Sequence, residues 1–338
     1  MTDSRTAASP VFTDAFGRQI TYLRLSVTDR CNLRCHYCMP EGMTFLPKEM
    51  LLSYEEMLRL VGILAGNGVE KVRITGGEPF VRREVLGFLT ELKNIDGLGK
   101  RYVTTNGVVP DKVFAHLPDL ALSGVNLSLD SLDRARFARI TRRDRLGQVL
   151  AFMDRVLDLG IPLKINVVVM SGQNEADLIP LANLTRELPV TVRFIEEMPF
   201  NGNQKQAAPV PWHYRRIEEY LGKTFPGLVR QPQLTGSTEL LYRIPGHRGE
   251  VGIIAGYSRT FCGTCNRLRV NARGEMRTCL YGKKVLDLRR LMRSGADDAA
   301  IAGAIAAAVA GRFADGWSAQ QDRDRRQPHN PSMSVIGG

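Results

Sequence analysis

Six short alternating runs, each with one polar face and each alternating with a helical pattern, constrain this chain more than any other feature. In the first, Ile20, Tyr22, Arg24 and Ser26 share one face and Thr21, Leu23, Leu25 and Val27 the other, because side chains alternate along a strand. Lys71, Arg73 and Thr75 then oppose Val72 and Ile74, and Tyr102, Thr104 and Asn106 oppose Val103. Asn126, Ser128 and Asp130 oppose Val125, Leu127 and Leu129, while Lys164 and Asn166 oppose Leu163, Ile165 and Val167. The sixth run, 190–197, sets Arg193 against Val192 and Phe194. Ser53 and Glu56 form a capping box for a helix ending at Gly66 or Gly68, and further helices are expected at about 83–94, 111–117, 144–159 and 175–187.

Such alternation specifies a parallel sheet. A doubly wound sheet is buried on both faces and needs nearly continuous apolar strands. A closed eight-stranded barrel fills its interior with branched apolar side chains. Neither suits strands with one polar face, and a solvated antiparallel sheet does not suit the intervening helices. The expected fold is α/β: an open partial (β/α)6 TIM-type barrel with a polar interior. Ligands of such folds lie at the carboxyl ends of the strands. That edge carries the Cys31 loop, Gly76-Gly77, Asn106-Gly107 and Ser128 to Asp130. Gly76-Gly77 lets backbone approach a ligand closely, a weak signal that gains from its place opposite the cysteine loop.

The six cysteines fall into two triplets, Cys31, Cys35, Cys38 and Cys262, Cys265, Cys279. Closely spaced thiolates suit a soft metal or an iron–sulfur cluster. Structural zinc usually takes four protein ligands, and neither triplet has an obvious fourth cysteine, although His36 lies inside the first loop. From spacing alone, iron–sulfur, zinc and disulfide readings stay open, with iron–sulfur favoured. Three thiolates on a four-iron cluster leave one iron open. From Cys265 to Val270, period two puts Cys265, Arg267 and Arg269 on one face. Guanidinium forks beside a cluster ligand suit phosphate or a planar acceptor edge; a pair of exposed charges is the plainer alternative.

At 338 residues the chain has room for one large or two modest domains. Its net charge of +11 asks for anionic company, whether a phosphate ester, nucleic acid or a membrane surface. No apolar run approaches the roughly 20 residues of a membrane span, and residues 1–15 lack a signal-peptide core. With six unpaired-looking thiols, the expected location is cytoplasmic.

Cys31-x3-Cys35-x2-Cys38, with Tyr37 before the last cysteine, resembles the first signature of the radical S-adenosylmethionine enzymes. Gly76-Gly77-Glu78-Pro79 is similar to their second. The narrower resemblance is to the GTP 3′,8-cyclase family, which opens molybdenum cofactor (molybdopterin) biosynthesis. It rests on Leu23 to Asn32, Arg73 to Pro79, Thr104 to Gly107, Asn126 to Asp130, Arg193 to Glu196, Cys262 to Arg269, and Gly337-Gly338.

The resemblance implies two 4Fe-4S clusters, one per triplet, with S-adenosyl-L-methionine on the open iron of the first. Tyr37, Gly76, Gly77, Glu78, Asn106, Ser128 and Met198 would surround that cofactor. Arg24, Arg73, Thr104, Lys164, Arg193, Arg267, Leu268 and Arg269 would bind GTP, whose guanine meets the open iron of the second cluster. Cleavage of S-adenosylmethionine would give methionine and a 5′-deoxyadenosyl radical. That radical would take hydrogen from the 3′ carbon of GTP, and the sugar radical would close onto carbon 8, giving (8S)-3′,8-cyclo-7,8-dihydroguanosine 5′-triphosphate. Gly337 and Gly338 would reach into the site and act with Arg267 and Arg269. The basic residue expected after Met170 is missing from Ser171-Gly172-Gln173-Asn174, a departure in loop detail.

Three segments are expected: 1–16 as a mobile arm, 17–198 as the partial barrel, and 199–338 as a region with the second triplet, the GTP site and the Gly-Gly tail. Residues 199–211 read as a linker, Asp297 to Ala310 as an Ala-rich helix, and Asp322 to Arg326 as a solvated charge run. Expected partners are GTP, an electron donor such as flavodoxin or ferredoxin, a downstream pterin-forming enzyme, and a second copy in a homodimer, with no membrane and no nucleic acid. Two readings from elsewhere compete: a nucleic-acid-binding protein with zinc-like triplets, and a two-cluster radical enzyme acting on a peptide or RNA.

Overall fold

The computed structural model describes residues 12–40, 42–200, 210–233, 236–325 and 332–337. The six expected strands form as β1 (Tyr22–Ser26), β2 (Lys71–Thr75), β3 (Lys100–Thr105), β4 (Gly124–Ser128), β5 (Leu163–Val169) and β6 (Val190–Glu196), adjacent and parallel in that order. Their outward side chains, among them Leu23, Leu25, Ile74, Leu127, Ile165 and Phe194, are buried in one core. Helices α1 (Tyr54–Ala65), α2 (Val85–Glu91), α3 (Asp111–His116), α4 (Arg134–Thr141), α5 (Leu146–Asp158) and α6 (Leu178–Glu187) alternate with these strands. The capping box forms: Glu56 N–H donates to Ser53 Oγ at 3.2 Å and Ser53 N–H to Glu56 Oε2 at 2.7 Å. Helix α4 has no counterpart in the sequence reading; its Asp133 cap accepts from Arg136 N at 2.7 Å.

After α7 (Tyr214–Thr224) come β7 (Val229–Arg230), β8 (Glu239–Arg243) and β9 (Glu250–Ile254), then β10 (Arg267–Val270), β11 (Glu275–Arg277) and β12 (Leu286–Asp287). Strand β9 pairs parallel with β6, and β10 pairs parallel with β1. Antiparallel β8 and β7 extend one end, and β11 and β12 the other. Among the described residues the sheet therefore has 12 strands in the order β12-β11-β10-β1-β2-β3-β4-β5-β6-β9-β8-β7. The open (β/α)6 core is as expected, but the C-terminal region is woven onto both its edges. Those edges would otherwise leave rows of backbone donors and acceptors unpaired.

Helices α8 (Leu288–Arg293), α9 (Asp298–Ala310), α10 (Gly316–Asp324) and α11 (Met333–Ile336) follow. Ile301, Ile305 and Val309 bury the α9 face. Two expectations are corrected. The arm is already structured at Phe12, which is buried, and Asp14 forms a buried ion pair with Arg18 at 2.6 Å. Within the charge run, Arg323 is buried and Asp322 pairs with Lys283 at 2.8 Å; residues 326–331 lie outside the described ones. No helix among the described residues is long and apolar enough to cross a membrane.

Candidate active site

Parity along β1 to β6 turns Tyr22, Arg24, Lys71, Arg73, Thr104 and Lys164 into one cavity of about 640 Å³, whose lining includes all six cysteines. The first triplet sits on the loop after β1, its three thiols free. Leu33 N–H donates to Cys31 Sγ at 3.4 Å, and the Asn106 amide does so at 3.5 Å. Ser334 N–H donates to Cys38. Burial, then the Glu78 carboxylate, pushes Cys31 up to about 11; burial, then Cys31, pushes Cys38 up to about 12. Burial, then Asp130, carries Cys35 well above the ordinary thiol range. These thiols keep their protons until a cation's charge reverses the balance.

Among the described residues, no three His, Cys, Asp or Glu side chains converge as they would around one metal ion. Thiolates on a four-iron cluster each take a different iron and stand further apart. Three thiols that each receive a hydrogen bond, Cys31 from Leu33 and Asn106, Cys35 from Tyr37 and Cys38 from Ser334, therefore fit a cluster better than zinc.

The glycines answer to a second constraint. A Cβ on Gly77 would lie 2.4 Å from Arg30 O, and one on Gly76 2.8 Å from Thr28 O. Gly77 N–H donates to Thr28 O at 2.7 Å and Glu78 N–H to Arg30 O at 2.8 Å. Contact between two backbones, in addition to any ligand, demands glycine here. Both glycines still line the cavity. Glu78 is fully buried and accepts from Asn106 N at 2.7 Å, Thr105 Oγ1 at 2.9 Å and Phe80 N at 3.1 Å. Burial raises its carboxyl to about 7. It braces Asn106 and does not itself reach the cavity wall.

Ser128 and Met198 do line the cavity. Tyr37 donates to Asp130 Oδ2 at 2.8 Å, and Val168 N–H donates to Asp130 Oδ1 at 2.9 Å. The departing loop has its own task. Gln173 hydrogen-bonds His36, and Asn174 Nδ2 donates to Asp130 O and Val168 O, both at 2.9 Å.

Cys262, Cys265 and Cys279 come together beside β10: burial, with Cys279 and Cys265 nearby, raises Cys262, and burial, with Cys265 nearby, raises Cys279. Burial is the largest influence on Cys265, yet the charges of Arg312 and Arg267 with an N–H donor from each outweigh it and hold this thiol below its usual range. Arg267 and Arg269 point inward as parity requires. Leu268 does not: it is fully buried in the core on the opposite face, so its side chain cannot meet a ligand in the cavity.

Arg24 stands in register between Arg269 and Arg73 on neighbouring strands. Burial, then Arg269, lowers Arg24 well below the guanidinium range; burial, then like charges, lowers Arg193 and Arg269 to about 10. Guanidiniums keep their charge regardless. Among the described residues, one buried nitrogen on each of Arg24, Arg73, Arg193 and Arg269 has no partner, and neither has Thr104 Oγ1. Lys164 donates to Glu239 Oε1, and Arg193 to Glu239 Oε2 at 3.3 Å.

Gly337 is buried with φ +95, its carbonyl accepting from Thr75 Oγ1 at 3.3 Å. Asn271 Nδ2 donates to Val335 O at 3.0 Å, and Ile336 packs with Phe200 and Tyr281. Gly338 lies outside the described residues. Sequence reasoning missed Tyr22, Lys71 and Glu239 as site residues. Parity marked Tyr22 and Lys71, which sit on the inward face; Glu239 carries no local signal, because β8 reaches the site only through long-range pairing.

Residues 25–185 match the radical SAM superfamily, and 190–316 match the Molybdenum Cofactor Synthesis C family. The chain is 41% identical over 309 residues to "Molybdenum cofactor biosynthesis protein 1" of Bos taurus, covering 89% of this chain and 48% of that protein. It thus spans about half the length of that relative. It is 39% identical to the "GTP 3',8-cyclase" of Heliobacterium modesticaldum, covering 96% of this chain and 99% of that one. The fold resembles the crystal structure of Streptococcus suis SuiB, with TM-score 0.63, 15% identity, and coverage of 95% of this chain and 78% of that one. Alternating strands around a cysteine loop, a second triplet beside paired arginines, and these likenesses place the chain in the GTP 3′,8-cyclase family of radical SAM enzymes.

Proposed function

We propose that this chain converts GTP to (8S)-3′,8-cyclo-7,8-dihydroguanosine 5′-triphosphate, the first step of molybdenum cofactor biosynthesis, with a cluster on each triplet. One observation carries the reading. Four inward-facing guanidiniums, on Arg24, Arg73, Arg193 and Arg269, each keep one buried nitrogen without a partner among the described residues, in a cavity whose wall holds both triplets. Unpaired buried donors are costly, and a polyphosphate would satisfy several at once with charge-assisted bonds.

When bound, the first cluster and S-adenosylmethionine supply the radical that removes the 3′ hydrogen. The chain's own residues position and shield. Cys31, Cys35 and Cys38 would hold that cluster, with Asn106 and Leu33 steadying Cys31. Gly76, Gly77, Ser128, Tyr37 and Met198 would form the cofactor's surroundings, Tyr37 being fixed by Asp130. Arg24, Arg73, Lys164 and Arg193 would take the triphosphate, with Thr104 beside them. Arg267 and Arg269, next to Cys265, would orient the base toward the second triplet. The segment ending at Gly337 packs on Ser26 and Thr75 beside the cavity and would help exclude water from a reactive sugar. The protein's contribution is thus positioning and electrostatics.

The test is anaerobic. Reconstituted protein with reductant and S-adenosylmethionine should yield the cyclised nucleotide from GTP. GTP left unchanged while S-adenosylmethionine is cleaved would move the substrate to the peptide or RNA class.

A further inference from the structure

Radical formation begins with one electron from outside, so this inference rests on the reading above. Between 134 and 145 the chain reads Arg-Ala-Arg-Phe-Ala-Arg-Ile-Thr-Arg-Arg-Asp-Arg, six arginines against one aspartate. This segment is α4 and the turn into α5, and it backs directly onto the first cysteine loop. Arg34 N–H donates to Thr141 O at 2.9 Å, and His36 N–H to Ile140 O at 3.3 Å. The bonded residues flank Cys35 on both sides.

The turn is held in shape. Arg142 adopts φ +56 at the helix end, and the buried Thr141 hydroxyl donates to Phe137 O at 2.8 Å and contacts Arg143 O at 2.9 Å. Among the described residues the nearby acids are already engaged. Asp133 caps α4, Asp144 takes both forks of Arg134, and Asp177 is paired with Arg136. Arg139, Arg143 and Arg145 stand exposed, giving an uncompensated cationic face. None of the exposed large apolar side chains, Phe16, Val229, Val285, Phe313, Trp317 and Val335, belongs to it. Such a face lacks the apolar centre of a permanent interface and the exposed aromatics on which nucleic-acid bases stack. It has the charge that steers a brief encounter.

The geometry points to this α4–α5 corner as the docking face of a small acidic one-electron carrier. A carrier seated there is separated from the cysteine loop by the Ile140–Thr141 turn, which is bonded directly to the Arg34–His36 backbone. In the encounter the reduced carrier loses one electron and the cluster gains it; no bond forms or breaks, and the carrier leaves oxidised. The interface belongs to the small, weak class of redox encounters.

The experiment uses the full chain with its clusters reconstituted, and a bacterial flavodoxin as probe. Wild type is compared with the combined variant Arg139→Glu, Arg143→Glu, Arg145→Glu, and with the milder Arg139→Gln, Arg143→Gln, Arg145→Gln. Cluster reduction is followed optically with reduced flavodoxin or with dithionite, and flavodoxin binding is measured separately at low and high salt. The glutamate variant should lose at least ten-fold in flavodoxin-driven reduction rate and bind flavodoxin undetectably. The glutamine variant should fall between. Dithionite reduction should be unchanged in both, and the wild-type flavodoxin rate should drop steeply with salt. Unchanged flavodoxin rates in the variants would overturn the assignment. So would equal loss with dithionite, since the arginines would then be supporting the loop. Loss of single-stranded RNA binding with flavodoxin binding intact would hand the face to nucleic acid. If wild type fails to cyclise GTP while flavodoxin reduction still depends on these arginines, the proposed substrate falls and the docking face stands.

Discussion

Arg24 on β1 and Arg269 on β10 stand side by side in register on adjacent parallel strands. Neighbouring strands lie about 4.8 Å apart, so two like charges share a buried wall, and Arg73 continues it on β2. A wall of this kind is costly when empty and favourable when an anion fills it. Arg269→Ala or Arg24→Ala should weaken GTP binding by about 1.5–3 kcal/mol each, as expected for loss of a charge-assisted bond. Calorimetric titration with GTP and with S-adenosylmethionine checks this. The second affinity should barely move; equal loss of both would point to misfolding.

The triplets should divide the labour. Cys35→Ala should abolish S-adenosylmethionine cleavage while iron at the second triplet persists. Cys265→Ala should leave the first triplet's iron in place but abolish cyclisation. Iron content and visible spectra of each variant decide it, and complete loss of iron from a folded single variant would sink the two-site reading.

Tyr22 adds a pH dependence. Burial alone would raise its phenol, but Arg73, Arg24, Lys71 and Arg267 outweigh burial and bring it down to about 7. Arg73 Nε donates to its oxygen, and Lys71 sits 4.5 Å above the ring. A depressed acid is ionised in the fold above about 7, so the stability it lends is full above its unfolded value near 10 and is lost as pH falls through 7. For an anionic ligand the sign is opposite, because tyrosinate competes with phosphate for the same cations. Lys71, lowered to about 8 mainly by burial, loses its charge over the same range. GTP affinity should therefore fall from pH 6.5 to 9, and Tyr22→Phe should flatten that slope by roughly half, as removing one of two titrating groups would. Equilibrium binding at several pH values measures this; identical slopes would refute it.

Gly337 occupies left-handed backbone at φ +95, with Val270 O 3.4 Å from where a Cβ would stand. Gly337→Val should strain the backbone by about 1–3 kcal/mol and undock the segment from Thr75 and Asn271. Iron content and GTP binding should stay near wild type while the rate of product formation falls at least ten-fold. A variant that cyclises GTP at the full rate would show this segment to be dispensable.

Much of the site was legible along the chain, because side-chain parity is a local property. Reading every second residue put Arg24, Arg73, Thr104, Lys164 and Arg269 inward, and the structure lines one cavity with them. The same rule read strictly would have removed Leu268 from the ligand set, where the resemblance had put it. The Ser53–Glu56 cap was legible for the same reason, since both partners lie within one turn. Helix α4 was missed because its arginines obscure an apolar stripe of only Phe137 and Ile140.

Nothing local announces which strands become neighbours. Ladder hydrogen bonds join backbone groups that every residue shares, so an alternating run declares a strand without declaring its partner. Folding the whole chain brought β10 against β1 and β9 against β6, and with them Arg269 beside Arg24 and Glu239 beside Lys164 and Arg193. It also seated Thr28 and Arg30 where a Cβ on Gly76 or Gly77 would fall, so those glycines answer to a loop far from them in sequence. The inward chemistry of each strand was written in its own residues. The company those residues keep came from closing a sheet whose two open edges needed partners from the far end of the chain.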